Sequence, residues 1–337
     1  MSQSAAASKR REWLRWLPGV VISAIALFVV FRLARWDGLS TAFSTIKWQY
    51  IGLSGFFTLG FLFVRTAAWR VLLNNKPSYK ETFFVINEGY LLNNLFPFRA
   101  GEIGRAVIMG QMTGWGPFHV LSTIIIERAF DMLIAAGMLL GTLPFVLGGV
   151  SWGKPVGIAT LLVMGGGLLV LFLMARNRVA VDRLIAKYGA RWPFIEKYIV
   201  PQMEKLLDGL SALANPRQFL LTLGLILLCW IIAIFQYHVV FIPILPDAPL
   251  WYGAFTVTVL ALGVAIPSAP AALGVFEAAI VGAMALLGID NATALATGIS
   301  LHFLQFVITG IFGFIGLIIQ RRSLGALISE TRLQQKA

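Results

Sequence analysis

From Gln218 to Gln320 the chain contains no lysine or arginine, whereas eight basic residues crowd the stretch from Arg176 to Arg217. Charge is scarce throughout. Only 12% of the 337 residues are Asp, Glu, Lys or Arg, against roughly 25% in a soluble domain, which excludes an ordinary globular protein. The lone Cys229 can close no intrachain disulfide. No zinc-like His/Cys spacing, Asp-x-Asp pair, nucleophile elbow or phosphate loop occurs. The expectation is therefore no metal, no cofactor and no enzyme activity. A small-residue cleavage site is missing as well. Lys9-Arg10-Arg11 and Leu17–Phe31 have the order of a signal peptide, but Phe31-Arg32-Leu33-Ala34-Arg35-Trp36 follows, so the segment reads as a retained helix.

What the chain has is apolar length: 58% apolar residues and a mean hydropathy of +0.81. Val156–Ala175, Phe219–Ile242 and Ala292–Ile319 each reach the ~20 residues that carry a helix across a bilayer. A β-barrel would alternate in ~10-residue strands instead. The fold class is an all-α polytopic membrane protein. The net charge of +12 fits basic residues retained on the cytoplasmic side rather than a nucleic-acid partner.

The expected organisation runs as follows. Residues 1–16 form a cytoplasmic tail, and 17–175 a first transmembrane half with a broken, re-entrant hairpin at about 81–110. Residues 176–217 form a basic linker, read either as amphipathic surface helices or as a plain connection. Residues 218–320 form a second half with a hairpin at about 250–289, and 321–337 a cytoplasmic tail. Helix two is expected at Trp48–Leu73, where Arg65 and Arg70 could snorkel near its end, and a third span at Ser122–Val150. With the basic segments inside, span parity places the first hairpin open to the cytoplasm and the second open to the exterior. This is the pattern of inverted-topology repeats.

The polar residues lie at the helix breaks. In the first hairpin, Pro97 frees backbone carbonyls, while Gly101 and Gly104 admit a close ligand. A helix resuming at Gly101, flanked by Arg99 and Arg105, suits an anion at membrane depth. The alternative is that these arginines pair with Glu102 and Glu88. Glu127-Arg128-x-x-Asp131 puts two carboxylates on one helix face, either as a clamp or as a network guiding substrate. Glu277 has no cation within forty residues of it in sequence. It is either protonated or paired with an arginine from the other half. His302 and Gln305 are relay candidates on the last span, the bland reading being satisfied bundle residues.

Asn94-x-x-Pro97-x-Arg99-x-Gly101-Glu102-x-x-Arg105, then Glu127-Arg128-x-x-Asp131, then Pro267-x-x-Pro270-x-x-x-Gly274-Val275-x-Glu277 resemble the lysylphosphatidylglycerol synthase transmembrane (flippase-like) family over about residues 15–320. The resemblance implies two inverted subdomains with re-entrant helices that move a lipid with an anionic head group between leaflets of the inner membrane. Asn94, Arg99, Gly101, Glu102, Arg105, Glu127, Arg128, Asp131, Pro267, Pro270, Gly274 and Glu277 would form the substrate site. The alternative is a membrane subunit supporting a glycosyltransferase or other lipid-modifying enzyme on isoprenoid or hopanoid lipids. Ala271 and Ala272 stand where the family has glycines, so a looser turn is expected there. No soluble aminoacyl-transferase domain follows up to Ala337, so synthase activity is not carried over.

The charge pattern predicts that the N-terminus, the basic linker and the C-terminus are all cytoplasmic. In a background with Cys229 replaced, single cysteines at Ser4, Gly189 and Ser329 are expected to resist a membrane-impermeant maleimide in intact cells. External labelling at any one of them would break the parity argument.

Overall fold

The structure, a computed structural model, describes residues 21–28, 36–148, 153–189 and 211–322. The expected tail at 1–16, all but the first two residues of the expected tail at 321–337, much of the expected first helix and linker residues 190–210 lie outside the described residues. Residues 21–28 form α1. It is followed by α2 (Trp36–Thr45), α3 (Trp48–Leu72), α4 (Tyr79–Leu95), α5 (Ala100–Thr113), α6 (Pro117–Val146) and α7 (Gly153–Arg176). The chain continues with α8 (Arg178–Gly189), α9 (Pro216–His238), α10 (Trp251–Ala265), α11 (Val275–Leu286) and α12 (Asn291–Ile319). Five helices are long and apolar enough to cross a membrane among the described residues: α3, α6, α7, α9 and α12. Large apolar side chains such as Phe56, Leu162, Phe303 and Phe314 lie exposed on them, as lipid-facing positions require.

The helices begin where local chemistry dictates. Ser78 and Glu81 form a reciprocal capping box at the start of α4. Pro117 and Pro216 occupy first-turn positions of α6 and α9, where a missing N–H does no harm. Asp290 caps α12 by accepting from the Thr293 N–H at 2.9 Å. The short helix α2 was not anticipated from the sequence. It packs its Ala42 against Ala292 and Ala296 of α12.

Two pairs of short helices, α4 with α5 and α10 with α11, are each interrupted by a broken turn. α4 and α5, with 17 and 14 residues, measure about 26 and 21 Å at 1.5 Å per residue. α10 and α11, with 15 and 12 residues, measure about 22 and 18 Å. All four fall short of a ~30 Å hydrocarbon core. In the first hairpin the chain breaks at Pro97, with Phe98 and Arg99 in the left-handed region at φ 57° and 54°. In the second, Ala271 and Ala272 take φ 56° and 55°. The looser turn expected from alanine does not occur. The Ala272 N–H reaches the Ala269 carbonyl at 3.0 Å and the Leu273 N–H that of Pro270 at 3.2 Å, closing a tight turn.

Packing repeats in an ordered way. Exchanging α3 with α9, α4 with α10, α5 with α11 and α6 with α12 preserves the principal neighbours. α4 lies on α12 as α10 lies on α6, and α3 lies directly on α9. The two broken turns also meet, because the Phe98 N–H donates to the Ser268 carbonyl at 3.3 Å. On the far side of the second turn, Ser23 of α1 accepts from the Ala269 N–H at 2.9 Å.

A left-handed alanine is strained by about 1–2 kcal/mol, part of which glycine would return through its greater unfolded-state freedom. Ala271→Gly and Ala272→Gly are expected to raise unfolding stability by up to ~1 kcal/mol each, read from thermal unfolding in detergent. A clear loss of stability in both would contradict the left-handed turn.

Candidate functional site

The site grows from one buried carboxylate. Glu127, about a third of the way along α6 and fully buried, meets three guanidinium groups. Arg65 of α3 approaches its Oε1 at 2.5 Å, Arg105 of α5 donates to its Oε2 at 3.1 Å, and Arg128 donates to its Oε1 at 3.3 Å. One helical turn on, Asp131 takes a two-pronged contact from Arg65 at 3.0 and 2.5 Å. The Trp230 indole N–H of α9 adds a third donor to Asp131 at 3.3 Å. Arg105 also lies over the Trp69 ring at 4.0 Å, and Trp69 donates its N–H to Thr123 at 3.1 Å. These contacts tie α3, α5, α6 and α9 together at membrane depth.

Two arginines sit nearer open space. Arg128 approaches Glu102 at 3.4 Å and Asp131 at 3.3 Å. Arg99 has one long contact, 3.6 Å to the same Glu102 oxygen, and its side chain is 33% exposed. Within this network four guanidinium groups face three carboxylates, so one positive charge is left over, and Arg99 is the arginine least neutralised.

Beside the network lies a cavity of about 280 Å³. Arg65, Arg99, Arg128 and Asp131 line its charged wall, and Tyr90, Asn93 and Asn94 of α4 extend it. Opposite stand Trp230, Gln236 and Tyr237 of α9, the Ser268–Ala272 turn, and His302, Gln305 and Thr309 of α12. The Asn94 amide donates to Thr309 at 3.1 Å, a link between the halves. The cavity thus lies where both broken hairpins meet.

Of the residues singled out in the sequence, Asn94, Arg99, Arg128, Asp131, His302 and Gln305 line this space. Arg105 and Glu127 do not; they stand behind it and are fully enclosed. The Gly101 N–H donates to Asn93 at 2.7 Å rather than facing open space. Any Cβ on Gly101 would collide with the Gly89 carbonyl, so this glycine permits the close contact of α4 with α5. Gly274 turns the chain at φ 82° and donates to Glu277 at 2.7 Å. Pro267 and Pro270 flank the second turn, whose Ser268, Ala269, Ala271 and Ala272 reach the cavity.

Two pairings differ from expectation. Glu277 meets neither an arginine nor open space; its Oε1 lies 2.6 Å from the His302 Nδ1 on the neighbouring span. Glu88 pairs with neither Arg99 nor Arg105. It is buried against Gly316 of α12, and neither of its oxygens has a hydrogen-bond partner. Arg65 was the residue missed. Its seven-residue distance from the end of α3 is about 10 Å of helix, a depth that snorkelling does not relieve and that could have flagged it.

The family described as "Lysylphosphatidylglycerol synthase TM region" matches residues 16–313. A UPF0104 membrane protein of Methanothermobacter thermautotrophicus is 23% identical over 328 residues, covering 89% of this chain and 92% of its own. A UPF0104 membrane protein of Methanocaldococcus jannaschii is 23% identical over 243 residues, covering 69% of this chain and 95% of its own. No solved structure matches.

Removing one member of a buried ion cluster strands its partners and costs about 3–5 kcal/mol. Arg65→Ala is expected to destabilise by that amount in chemical or thermal unfolding. Glu88→Gln removes no ion pair and is expected to change stability by less than about 1 kcal/mol. Equal losses in the two variants would show that the cluster is not the anchor.

Proposed function

Because this chain belongs to the lysylphosphatidylglycerol synthase TM-region family, we propose that it is a flippase-like transporter moving a lipid with an anionic head group between the leaflets of a bacterial-type inner membrane. The observation that carries this reading is the surplus guanidinium at the cavity. Arg99 stands at the first broken turn with a single long carboxylate contact and a partly exposed side chain. A phosphate oxygen entering there completes the charge balance that the protein leaves open. Arg128, also on the cavity wall, supplies the second fork, and planar guanidinium groups hold phosphate bidentately.

The rest of the cavity suits the polar remainder of a head group. Asn93, Gln236 and Gln305 offer neutral donors and acceptors. The acyl chains remain against the apolar exterior, since burying them inside would gain nothing over lipid. Arg105 and Glu127 stand behind the wall, where Glu127 holds Arg65 and Arg128 in place without touching cargo.

Two further features support a transporter. The exchange of packing partners between α3–α6 and α9–α12 is what inverted repeats produce, and the cavity between their broken helices is where such folds bind substrate. The basic N-terminus, linker and C-terminus favour the cytoplasmic side, which orients the two hairpins oppositely.

Arg99→Lys keeps the charge and loses the fork, at about 1–3 kcal/mol of charge-assisted bonding. Native mass spectrometry of the purified protein, titrated with phosphatidylglycerol and with phosphatidylcholine, is expected to show weaker retention of the anionic lipid in Arg99→Lys and loss in Arg99→Ala. The same titration reads the Arg128→Lys effect. Undiminished retention of the anionic lipid in Arg99→Ala, or equal retention of both lipids by the parent, would overturn the site.

A further inference from the structure

His302 presents both ring nitrogens to oxygen acceptors. Its Nε2 lies 2.9 Å from the Ala271 carbonyl, and its Nδ1 lies 2.6 Å from Glu277 Oε1. A carbonyl only accepts, so Nε2 must carry a hydrogen. A neutral imidazole has one N–H, and Ala271 takes it. The 2.6 Å contact then needs a second proton, resident on Nδ1 or on Glu277. The other carboxylate oxygen is already occupied by the Gly274 N–H at 2.7 Å. The pair therefore holds one proton more than a neutral histidine and an ionised carboxylate would.

Its surroundings isolate it. Phe276 stacks on the His302 ring at 4.2 Å between centroids, and both side chains of the pair are about nine-tenths buried. The charged or titratable groups facing the same space are Arg65 on α3, Tyr90 on α4 and Arg99 at the first turn. Arg128 and Asp131 on α6 and Tyr237 on α9 complete the set. None of these forms an ion pair with Glu277 or His302 among the described residues. α10 has only Tyr252 as a titratable residue. Glu88 on α4 lies against Gly316, fourteen residues from His302 along α12 and so about 21 Å away.

Loss of the second proton leaves one N–H to serve two acceptors. Either Nδ1 then faces a carboxylate, or Nε2 faces the Ala271 carbonyl, with lone pair against lone pair. The shorter contact to the charged oxygen keeps the hydrogen, and the carbonyl is released. Ala271 sits in the left-handed turn on the cavity wall, three residues from Ser268, which is bonded to the first turn. Freeing it loosens the junction at which the two hairpins meet.

We propose that Glu277 and His302 form a proton-binding site whose emptying releases the second hairpin turn, making the proton the ion coupled to lipid movement. The coupling rests on the transport reading, whereas the proton site stands on hydrogen-bond geometry alone. Glu277→Gln tests both. Its amide donates to Nδ1 and its carbonyl accepts from Gly274, so the variant copies the protonated pair at every pH.

The first measurement is nitrogen-15 NMR of histidine-labelled protein in phosphatidylglycerol nanodiscs, with His302 assigned by its loss in His302→Gln. The parent is expected to carry an Nε2–H at low pH, with Nδ1 protonated or sharing the proton of Glu277, and to be protonated on Nδ1 alone as pH rises. Glu277→Gln is expected to show a single Nε2–H throughout. A parent ring that keeps Nε2–H over the whole range, indistinguishable from Glu277→Gln, would overturn the site. The second measurement follows a fluorescent phosphatidylglycerol in proteoliposomes, as the ratio of rates with and without an imposed pH gradient. A severalfold ratio in the parent that falls to unity in Glu277→Gln is expected. A ratio that survives the substitution overturns the coupling. Absence of lipid movement in the parent under any gradient sinks the transport reading, and the NMR result then decides the proton site independently.

Discussion

The contact on which the rest of the structure depends is the Glu127 carboxylate with its three guanidinium partners. A carboxylate at this depth would be intolerable alone, and so would any of the arginines. With Asp131 they offset most of one another's charge, and in doing so they fix α3, α5 and α6 relative to each other. Trp230 brings α9, and with it the second half, to the same cluster. Clusters of this kind are weak evidence for stability over an apolar alternative, but breaking one is severe. Their value here is positional. The same contacts that bury Arg65 and Arg105 hold Arg128 at the cavity wall and leave Arg99 only loosely held by Glu102.

Helix breaks supply the second constraint. Each hairpin turns through two consecutive left-handed residues, Phe98-Arg99 and Ala271-Ala272. Such a conformation in non-glycine residues persists only where the surroundings over-determine it. Here those surroundings are the hydrogen bond between the two turns, the Ser23 contact from α1 and the His302 contact from α12. The strained backbone, the exposed guanidinium and the Glu277–His302 pair therefore occupy one region. On the proposed transport function, a head group or a proton arriving there would act on the joint between the halves.

Much of this was legible without coordinates because it is local. A long run of apolar residues without charge reads as a span, and a proline followed by glycine ends a helix, as at Pro97. The spacing of Glu127 and Asp131 put both on one face of α6, where they are found. The sequence also marked Arg99 as special. It marked Arg105 equally, although Arg105 faces away from the cavity, because a motif gives residue types and not the side of the helix that a neighbour covers. Arg65 looked like a helix-end snorkeller, since nothing within its own helix reveals the Asp131 that it meets 66 positions later.

Membrane character, the order of spans and the places of the breaks follow from composition and near-neighbour chemistry, because the bilayer forces every backbone group to be satisfied within its own segment. Which arginine is buried in ion pairs and which is left partly exposed was decided only when α3, α5 and α6 came together, since ion pairing at this depth depends on distances of a few ångströms between remote segments. The fate of Glu277 was settled in the same way. Its sequence surroundings hold no cation, and its partner turned out to be a histidine 25 residues on, brought to it by the packing of α11 on α12.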